Sequence, residues 1–356
     1  MNKSAVETLR GRIIRGVGGL YGVSADAKNT PESSESEEYL CSARGIFRRE
    51  GKTPLAGDDV LFEPDPIRPG YGNIVRIGAR RSALRRPAAA NVDQLLIVLT
   101  LSAPAPDFML ADKLILHALM NHITPAICFN KSDLAPAAAF LEEAEGYARA
   151  GFLTLRTAAA PSGADGADSD DPDPDDTGPG NTGVGGVAPD LGLGPETNSD
   201  DAASGSDFGL GPLADALRDK VTILAGQSGV GKSTLFNRIL EYEHMPVGGM
   251  SRKILRGKHT TRHVELVRIK GGGWLIDSPG FSAFEAEVGN YRELDRFYPE
   301  FAPYRELCRF KECSHIHEPG CAVLAALGEG ALHAGRHRRY AALYAEGKAA
   351  DGRKYM

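Results

Sequence analysis

The stretch from Gly226 to Ser233 reads Gly-Gln-Ser-Gly-Val-Gly-Lys-Ser and fills every fixed position of the phosphate-binding pattern G-x-x-x-x-G-K-[ST]. Glycines at that spacing let the backbone curl until successive N–H groups face phosphate oxygens, and the helix that follows offers the positive end of its dipole. Gly226, Gln227, Ser228, Gly229, Val230, Gly231, Lys232, Ser233 and Thr234 are therefore the candidate nucleotide contacts. Lys232 is expected to reach the β- and γ-phosphates. The Ser233 hydroxyl is expected to ligate Mg²⁺, a cation that keeps most of its waters.

A second run, Asn130-Lys131-Ser132-Asp133, is an N-K-x-D tetrad. A carboxylate at its end accepts from the N1–H and exocyclic amine of guanine, a donor pair that adenine lacks, so Asp133 is expected to choose the base. Asn130 would brace the loop and Lys131 would lie along the base plane. Ala158, after the following strand, falls where a backbone amide would meet the guanine O6. Asp277-Ser278-Pro279-Gly280 supplies a D-x-x-G motif, in which Asp277 holds the metal through water and the Gly280 N–H contacts the γ-phosphate. Between the loops, Gly257-Lys258-His259-Thr260-Thr261-Arg262 suits a switch, with one threonine, Thr261 by preference, on Mg²⁺. GTP or GDP with Mg²⁺ is the expected ligand. Where a side chain that orients the attacking water would be glutamine, position 281 is Phe281, which cannot hold a water. Slow intrinsic hydrolysis is the consequence, and His259 is the nearest polar candidate for that duty. Lys232, His259 and Thr261 form the expected catalytic set.

A different chemistry is written near the C-terminus. Cys308, Cys313, His315 and Cys321 follow C-x₄-C-x-H-x₅-C, three thiolates and an imidazole suited to a closed tetrahedral Zn²⁺ site. His317 is the alternative fourth ligand. Cys41 and Cys128 stand apart in apolar strands and are expected in the core.

These loops need elements to hold them. From Leu9 to Pro87 short alternating runs (Arg12 to Val23, Tyr39 to Arg48, Asp59 to Glu63, Asn73 to Ile77) predict a small β-barrel of OB type. Arg44, Arg48, Arg49, Arg76, Arg80, Arg81, Arg85 and Arg86 cluster on or beside those strands, as candidate RNA phosphate contacts. Gln94 to Leu101 and Val221 to Ala225 are continuously apolar, as in a parallel sheet covered on both faces. Strands are also expected over Pro125 to Phe129, Leu153 to Thr157 and Trp274 to Ile276. Helices are expected over Asp107 to His122, Pro136 to Ala150, Ser233 to Leu240, Tyr291 to Phe301 and Gly330 to Glu346. On the last, His333, Arg336, His337, Arg338 and Arg339 offer a basic face that would touch RNA or simply be solvated. The organisation is thus an OB-type barrel over 1–88, an α/β phosphate-loop domain over 89–290 and a zinc-binding helical domain over 291–356. Asn130 precedes Gly226 by 96 residues, the reverse of the usual motif order, so the middle domain is circularly permuted.

Composition agrees with a multidomain globular chain. Of its 356 residues, 42% are hydrophobic and 25% charged, no apolar run could span a bilayer, and a cytoplasmic location is expected. The net charge of −6 conceals a segment from Pro161 to Leu210 with twelve acidic residues and neither Lys nor Arg. Setting those twelve aside leaves the remainder at +6. That segment, to about Gly211, is too poor in large apolar residues to offset the entropy of ordering, which predicts disorder.

The barrel and the ordered set of motifs, from Asn130-Lys131-Ser132-Asp133 through the phosphate loop, Gly257-Lys-His-Thr-Thr261 and Asp277-Ser-Pro-Gly-Phe281 to the Cys308/Cys313/His315/Cys321 cluster, resemble the circularly permuted GTPase family RsgA, also called YjeQ. The resemblance covers nearly the whole chain. It implies a bacterial GTPase of late small-subunit (30S) maturation that binds the subunit and its 16S rRNA through barrel and zinc domains. It also implies stimulation by the subunit and help in releasing an assembly factor, by a monomer with no membrane association. The acidic insert and Arg262, where many relatives carry a third threonine, depart from the pattern. Two other readings are a nucleotide-gated RNA-binding or chaperone module with vestigial hydrolysis, and a GTPase serving another RNA or protein partner.

Overall fold

The computed structural model describes residues 7–26, 37–43, 45–49, 51–134, 137–158, 209–244, 264–269, 271–277 and 290–353. Its first five strands are β1 (Leu9–Val17), β2 (Leu20–Ala25), β3 (Glu38–Ala43), β4 (Asp59–Pro64) and β5 (Tyr71–Ile77), with a single helical turn, α1 (Ile46–Arg49), after β3. Alternation turns Ile13, Val23, Cys41, Val60, Phe62 and Ile74 into one core, with Phe47 of α1 packed against them. The strands run in the order β1-β2-β3-β5-β4, β3 and β5 are parallel, and β1 also pairs with β4, which closes the barrel in OB fashion.

Two details differ from the sequence reading. Arg12 to Val23 is a hairpin rather than one strand, because Gly18 and Gly19 both adopt positive φ and turn the chain between β1 and β2. The run from Tyr39 ends as a strand at Ala43 and gives way to α1. Arg80, one of the arginines read as RNA contacts, is tied down by an ion pair: its guanidinium donates to both oxygens of buried Asp58, at 2.7 and 2.8 Å, and to the Thr53 carbonyl. Arg81 pairs with Asp93 at 2.9 Å but stays exposed.

A short hairpin of β6 (Ala83–Arg85) and β7 (Ala88–Ala90) leads into the second sheet, built from β8 (Gln94–Leu99), β9 (Thr124–Phe129), β10 (Leu153–Arg156), β11 (Val221–Ala225), β12 (Glu265–Arg268) and β13 (Trp274–Asp277). Their order is β10-β9-β8-β11-β13-β12, parallel except for β12. Every residue of β8 and β11 is buried, as continuous apolar runs demand. The helices are α2 (Phe108–Met120), capped by Asp107 through its side chain on the Leu110 N–H, α3 (Ala137–Arg149), α4 (Leu210–Leu217) and α5 (Lys232–His244). Because α4 begins at Leu210 and buries Leu210, Leu213 and Leu217, the acidic stretch expected to lack structure stops short of Gly211. The barrel sheet continues into this one through β1 and β12, where Arg15 bonds Glu265 at 3.1 Å.

Beyond β13 the chain forms 3-10 turns at Tyr291–Phe297 and Pro299–Phe301, then α6 (Ala302–Arg305), α7 (Ala322–Gly328) and α8 (Ala334–Arg353). The expected α-helix from Tyr291 to Phe301 is thus a pair of 3-10 turns, interrupted before Pro299, whose ring removes an N–H donor. The last helix starts at Ala334 rather than Gly330, since the His333 ring accepts from the Arg336 N–H and ends the loop there.

The basic face expected on α8 is not one. Arg336 is 2% exposed and lies between Asp112 of α2, at 2.7 Å, and Glu300, at 2.6 Å, with the rings of Tyr147, Phe152 and Tyr298 within 5.3 Å of its guanidinium. Arg339 bonds the other Asp112 oxygen at 2.5 Å, and Tyr147 also donates to Asp112. His337 spends its ring on the carbonyl of His315. Arg336 and Arg339 join the C-terminal region to α2, His337 ties α8 to the turn at His315, and Arg338 alone of the four faces solvent. Burial opposes charge on Arg336, but Asp112 and Glu300 raise its pKa, so the guanidinium stays cationic. Asp112→Ala would remove the carboxylate shared by both guanidiniums, leaving Arg336 to Glu300 and Arg339 to the more distant Glu143 at 3.9 Å, and is expected to cost about 3–5 kcal/mol. A thermal midpoint lowered by roughly 10 °C would register that cost. An unchanged midpoint would show the joint to be dispensable.

Candidate nucleotide and metal sites

Parallel strands present their C-terminal ends to one edge, and ligands bind there where strand order reverses. Here β11 is flanked by β8 and β13, and the loop that follows it is the phosphate loop. Val230, fully buried with Leu235 and Phe236 of α5, anchors that loop into the core. Two glycines in it are obligatory. A Cβ at Gly226, with φ +138°, would stand 2.2 Å from the Val98 carbonyl, and one at Gly231, with φ +91°, would stand 2.5 Å from Asn130 Nδ2. Lys232 opens α5 and donates from Nζ to the Gly226 and Gln227 carbonyls at 2.8 and 2.7 Å, and burial lowers its pKa. Ser233 and Thr234 are exposed in the first turn.

The N-K-x-D tetrad meets this loop directly. Asn130 is buried; its Nδ2 donates to the Val230 carbonyl at 3.0 Å, and its Oδ1 accepts from Thr157 Oγ1 at 3.0 Å. Lys131 adopts φ +56° and reaches the Gly229 carbonyl at 2.9 Å and the Ala103 carbonyl at 3.2 Å. The Ser132 N–H donates to the Thr157 carbonyl at 3.1 Å, and Asp133 is exposed at the start of a 3-10 turn. Ala158 follows Thr157, and its carbonyl accepts from Arg238 Nη1 of α5 at 2.9 Å. Asp277 ends β13 one residue past Ile276, whose partner on β11 is Ile223, so it lies at the same edge of the sheet. His259, Thr261 and Gly280, with Arg262, Phe281 and residues 160–208, lie outside the described residues.

Thr157 and Arg238 escaped the sequence reading. A threonine closing an apolar strand was a faint signal for the first; a lone arginine on a polar helix face gave none for the second.

The second site gathers the four residues of the C-x₄-C-x-H-x₅-C pattern. The ligand atoms of Cys308, Cys313, His315 and Cys321 all lie within 4.8 Å of one another. Cys308 Sγ is 3.8 Å from Cys321 Sγ, and both sulfurs are 3.5 Å from His315 Nδ1. An ion about 2.3 Å from sulfur and about 2.0–2.1 Å from nitrogen sets tetrahedral edges of roughly 3.8 and 3.6 Å, so the spacing fits. His315 takes φ +58° to turn its ring inward, its Nε2 lies 3.9 Å from Asp295, and His317 is exposed. Glu318 frames the turn. Partial burial would raise its pKa, yet hydrogen bonds from the Ser314 hydroxyl and amide and the His317 amide hold it at about 2.

Comparison with known proteins places the chain. The family described as RsgA GTPase matches residues 77–167 and 201–287, and that described as RsgA N-terminal domain matches 10–71. The small ribosomal subunit biogenesis GTPase RsgA of Ruminiclostridium cellulolyticum is 39% identical over 94% of this chain and 92% of its own length. Among solved structures, YloQ, a circularly permuted GTPase, superposes with a TM-score of 0.70 at 27% identity, covering 98% of both chains. YjeQ from Thermotoga maritima superposes at 0.69 and 25% identity, covering 96% of this chain and 99% of its own. Among the described residues, no helix is long and apolar enough to cross a membrane.

Proposed function

The chain belongs to the RsgA family of circularly permuted GTPases, and on that premise we propose that it hydrolyses GTP in the cytoplasm, as a monomer, during late maturation of the small ribosomal subunit. The observation that carries the reading is the hydrogen-bonded union of three loops: the phosphate loop, the N-K-x-D tetrad and the loop of Ala158 meet through Asn130, Thr157 and Arg238.

Within that site each residue of the chain has a task. The loop from Gly226 to Thr234 wraps the phosphates with its N–H groups, and Lys232 turns from its own carbonyls to the β- and γ-oxygens. Asp133 accepts from the guanine N1–H and amine, Ala158 donates to O6, and Lys131 flanks the ring. Ser233, Thr261 and, through water, Asp277 would hold Mg²⁺, which when bound neutralises charge developing on the phosphates. By their motifs, Gly280 would contact the γ-phosphate and His259 would orient the attacking water, a duty that the Phe281 side chain has no polar group to perform. Positioning and charge do the rest.

Cys308, Cys313, His315 and Cys321 would hold one Zn²⁺ with no open position, a structural role. The barrel over 1–88 and the zinc domain over 291–356 would grip the subunit and its 16S rRNA on either side of the GTPase domain over 89–290. Arg76, Arg85 and Arg86, with Arg49 and Arg81, are exposed on or beside the barrel and would be its phosphate contacts. Subunit binding would order the switch and couple hydrolysis to departure of an assembly factor.

Asp133→Asn tests the base reading. It is expected to weaken GTP binding about tenfold to a hundredfold, the range for hydrogen bonds to a charged group, with ATP binding unaltered. Equal affinities for GTP in mutant and wild type, measured by calorimetry, would remove Asp133 from the site.

A further inference from the structure

We propose that Arg238 is a positioning residue for guanine selection, holding the Ala158 peptide where its N–H meets the O6 carbonyl. The inference rests on the guanine reading of the site and adds to it a residue outside every motif of the chain.

A trans peptide points its C=O and N–H in opposite directions. The peptide that carries the Ala158 N–H is held by its oxygen, since the Thr157 carbonyl accepts from the Ser132 N–H at 3.1 Å. Thr157 is itself fully buried and fixed twice more, by its N–H on the Phe129 carbonyl at 2.9 Å and its hydroxyl on Asn130. That secures one side of Ala158. Strand pairing has ended by then, because β10 stops at Arg156. The bond from Arg238 Nη1 to the Ala158 carbonyl secures the other side, across 80 residues of sequence. Its origin matters. Arg238 sits on α5, the helix that springs from the phosphate loop, so it ties the base-reading peptide to the element that binds the phosphates. A guanidinium is planar and always charged, which suits it to grip a carbonyl.

The test uses the full-length chain and calorimetric titration of GDP, 6-thio-GDP and ADP. The sulfur of 6-thio-GDP replaces O6 and accepts poorly from an amide, while the groups facing Asp133 are kept. Arg238→Met, which preserves the apolar stem, is expected to weaken GDP about five- to tenfold, the worth of one hydrogen bond, and 6-thio-GDP less than twofold. Arg238→Gln retains an N–H donor on a shorter stem and is expected to fall between wild type and Arg238→Met. Equal losses for GDP and 6-thio-GDP, or no loss for either, would overturn the role of Arg238 while leaving guanine selection standing. A wild type that binds ADP as tightly as GDP would overturn the guanine reading and this inference with it.

Discussion

Replacement of Lys232 by alanine is expected to lower GTP turnover at least about a hundred- to a thousandfold while the thermal midpoint hardly moves. The ammonium is half-buried, its pKa is lowered by that burial, and its partners are two carbonyls of its own loop. A half-buried cation held only by carbonyls gains most from an arriving anion, and the γ-phosphate is the anion the loop is shaped to admit. Losing one preorganised donor to developing charge costs about 10²–10³ in rate where it has been measured. No apolar packing depends on the lysine, so stability gives a clean control. Phosphate release at saturating GTP measures the effect. Turnover near wild type would mean that the phosphates bind elsewhere.

The second large effect is expected at the cysteine cluster. Stripping the metal, or Cys308→Ala, should unfold the region after Asn290 in part, since structural zinc supplies about 10–16 kcal/mol in zinc-finger peptides. The region's core is small: Leu294, Tyr298, Phe301, Val323, Tyr340 and Leu343, with Leu116 lent by α2. Cys321 is both a cluster member and the N-cap of α7, so metal and helix are lost together. The near-ultraviolet dichroism of the stacked Tyr298 and Phe301 rings and of Tyr340, packed edge-on against both, should collapse, while GDP binding persists. One equivalent of zinc per chain by elemental analysis is the companion result. A metal-free chain with that dichroism intact would contradict the assignment.

How much was legible in the sequence depended on whether a residue's partner is local. Val221 to Ala225 was read to the residue, because a run buried on both faces needs no alternation to be seen. The phosphate-loop, N-K-x-D and Cys/His motifs stood out in the sequence too, since each has short fixed spacings; the fold brings the first two together and gathers the third into one cluster. The hairpin inside Arg12 to Val23 was not, since only the two residues Gly18 and Gly19 separate β1 from β2 and no polar loop marks the turn. Arg336 and Arg339 looked solvated because helical spacing is all that a sequence shows of them. Asp112, more than two hundred residues earlier, decides where they point. The same holds for Arg80 with Asp58 and for Arg238 with Ala158: each pairing is made by the fold. Charge along the chain therefore overstated the basic surface, and only the tertiary partners of each arginine correct it.

The most direct measurement is phosphate release from GTP and from ATP, by the purified chain alone and with added small ribosomal subunits. The account predicts slow release from GTP alone, little from ATP, and strong stimulation by the subunit that is confined to GTP. Release that the subunit leaves unchanged, or that ATP supports equally well, would contradict it.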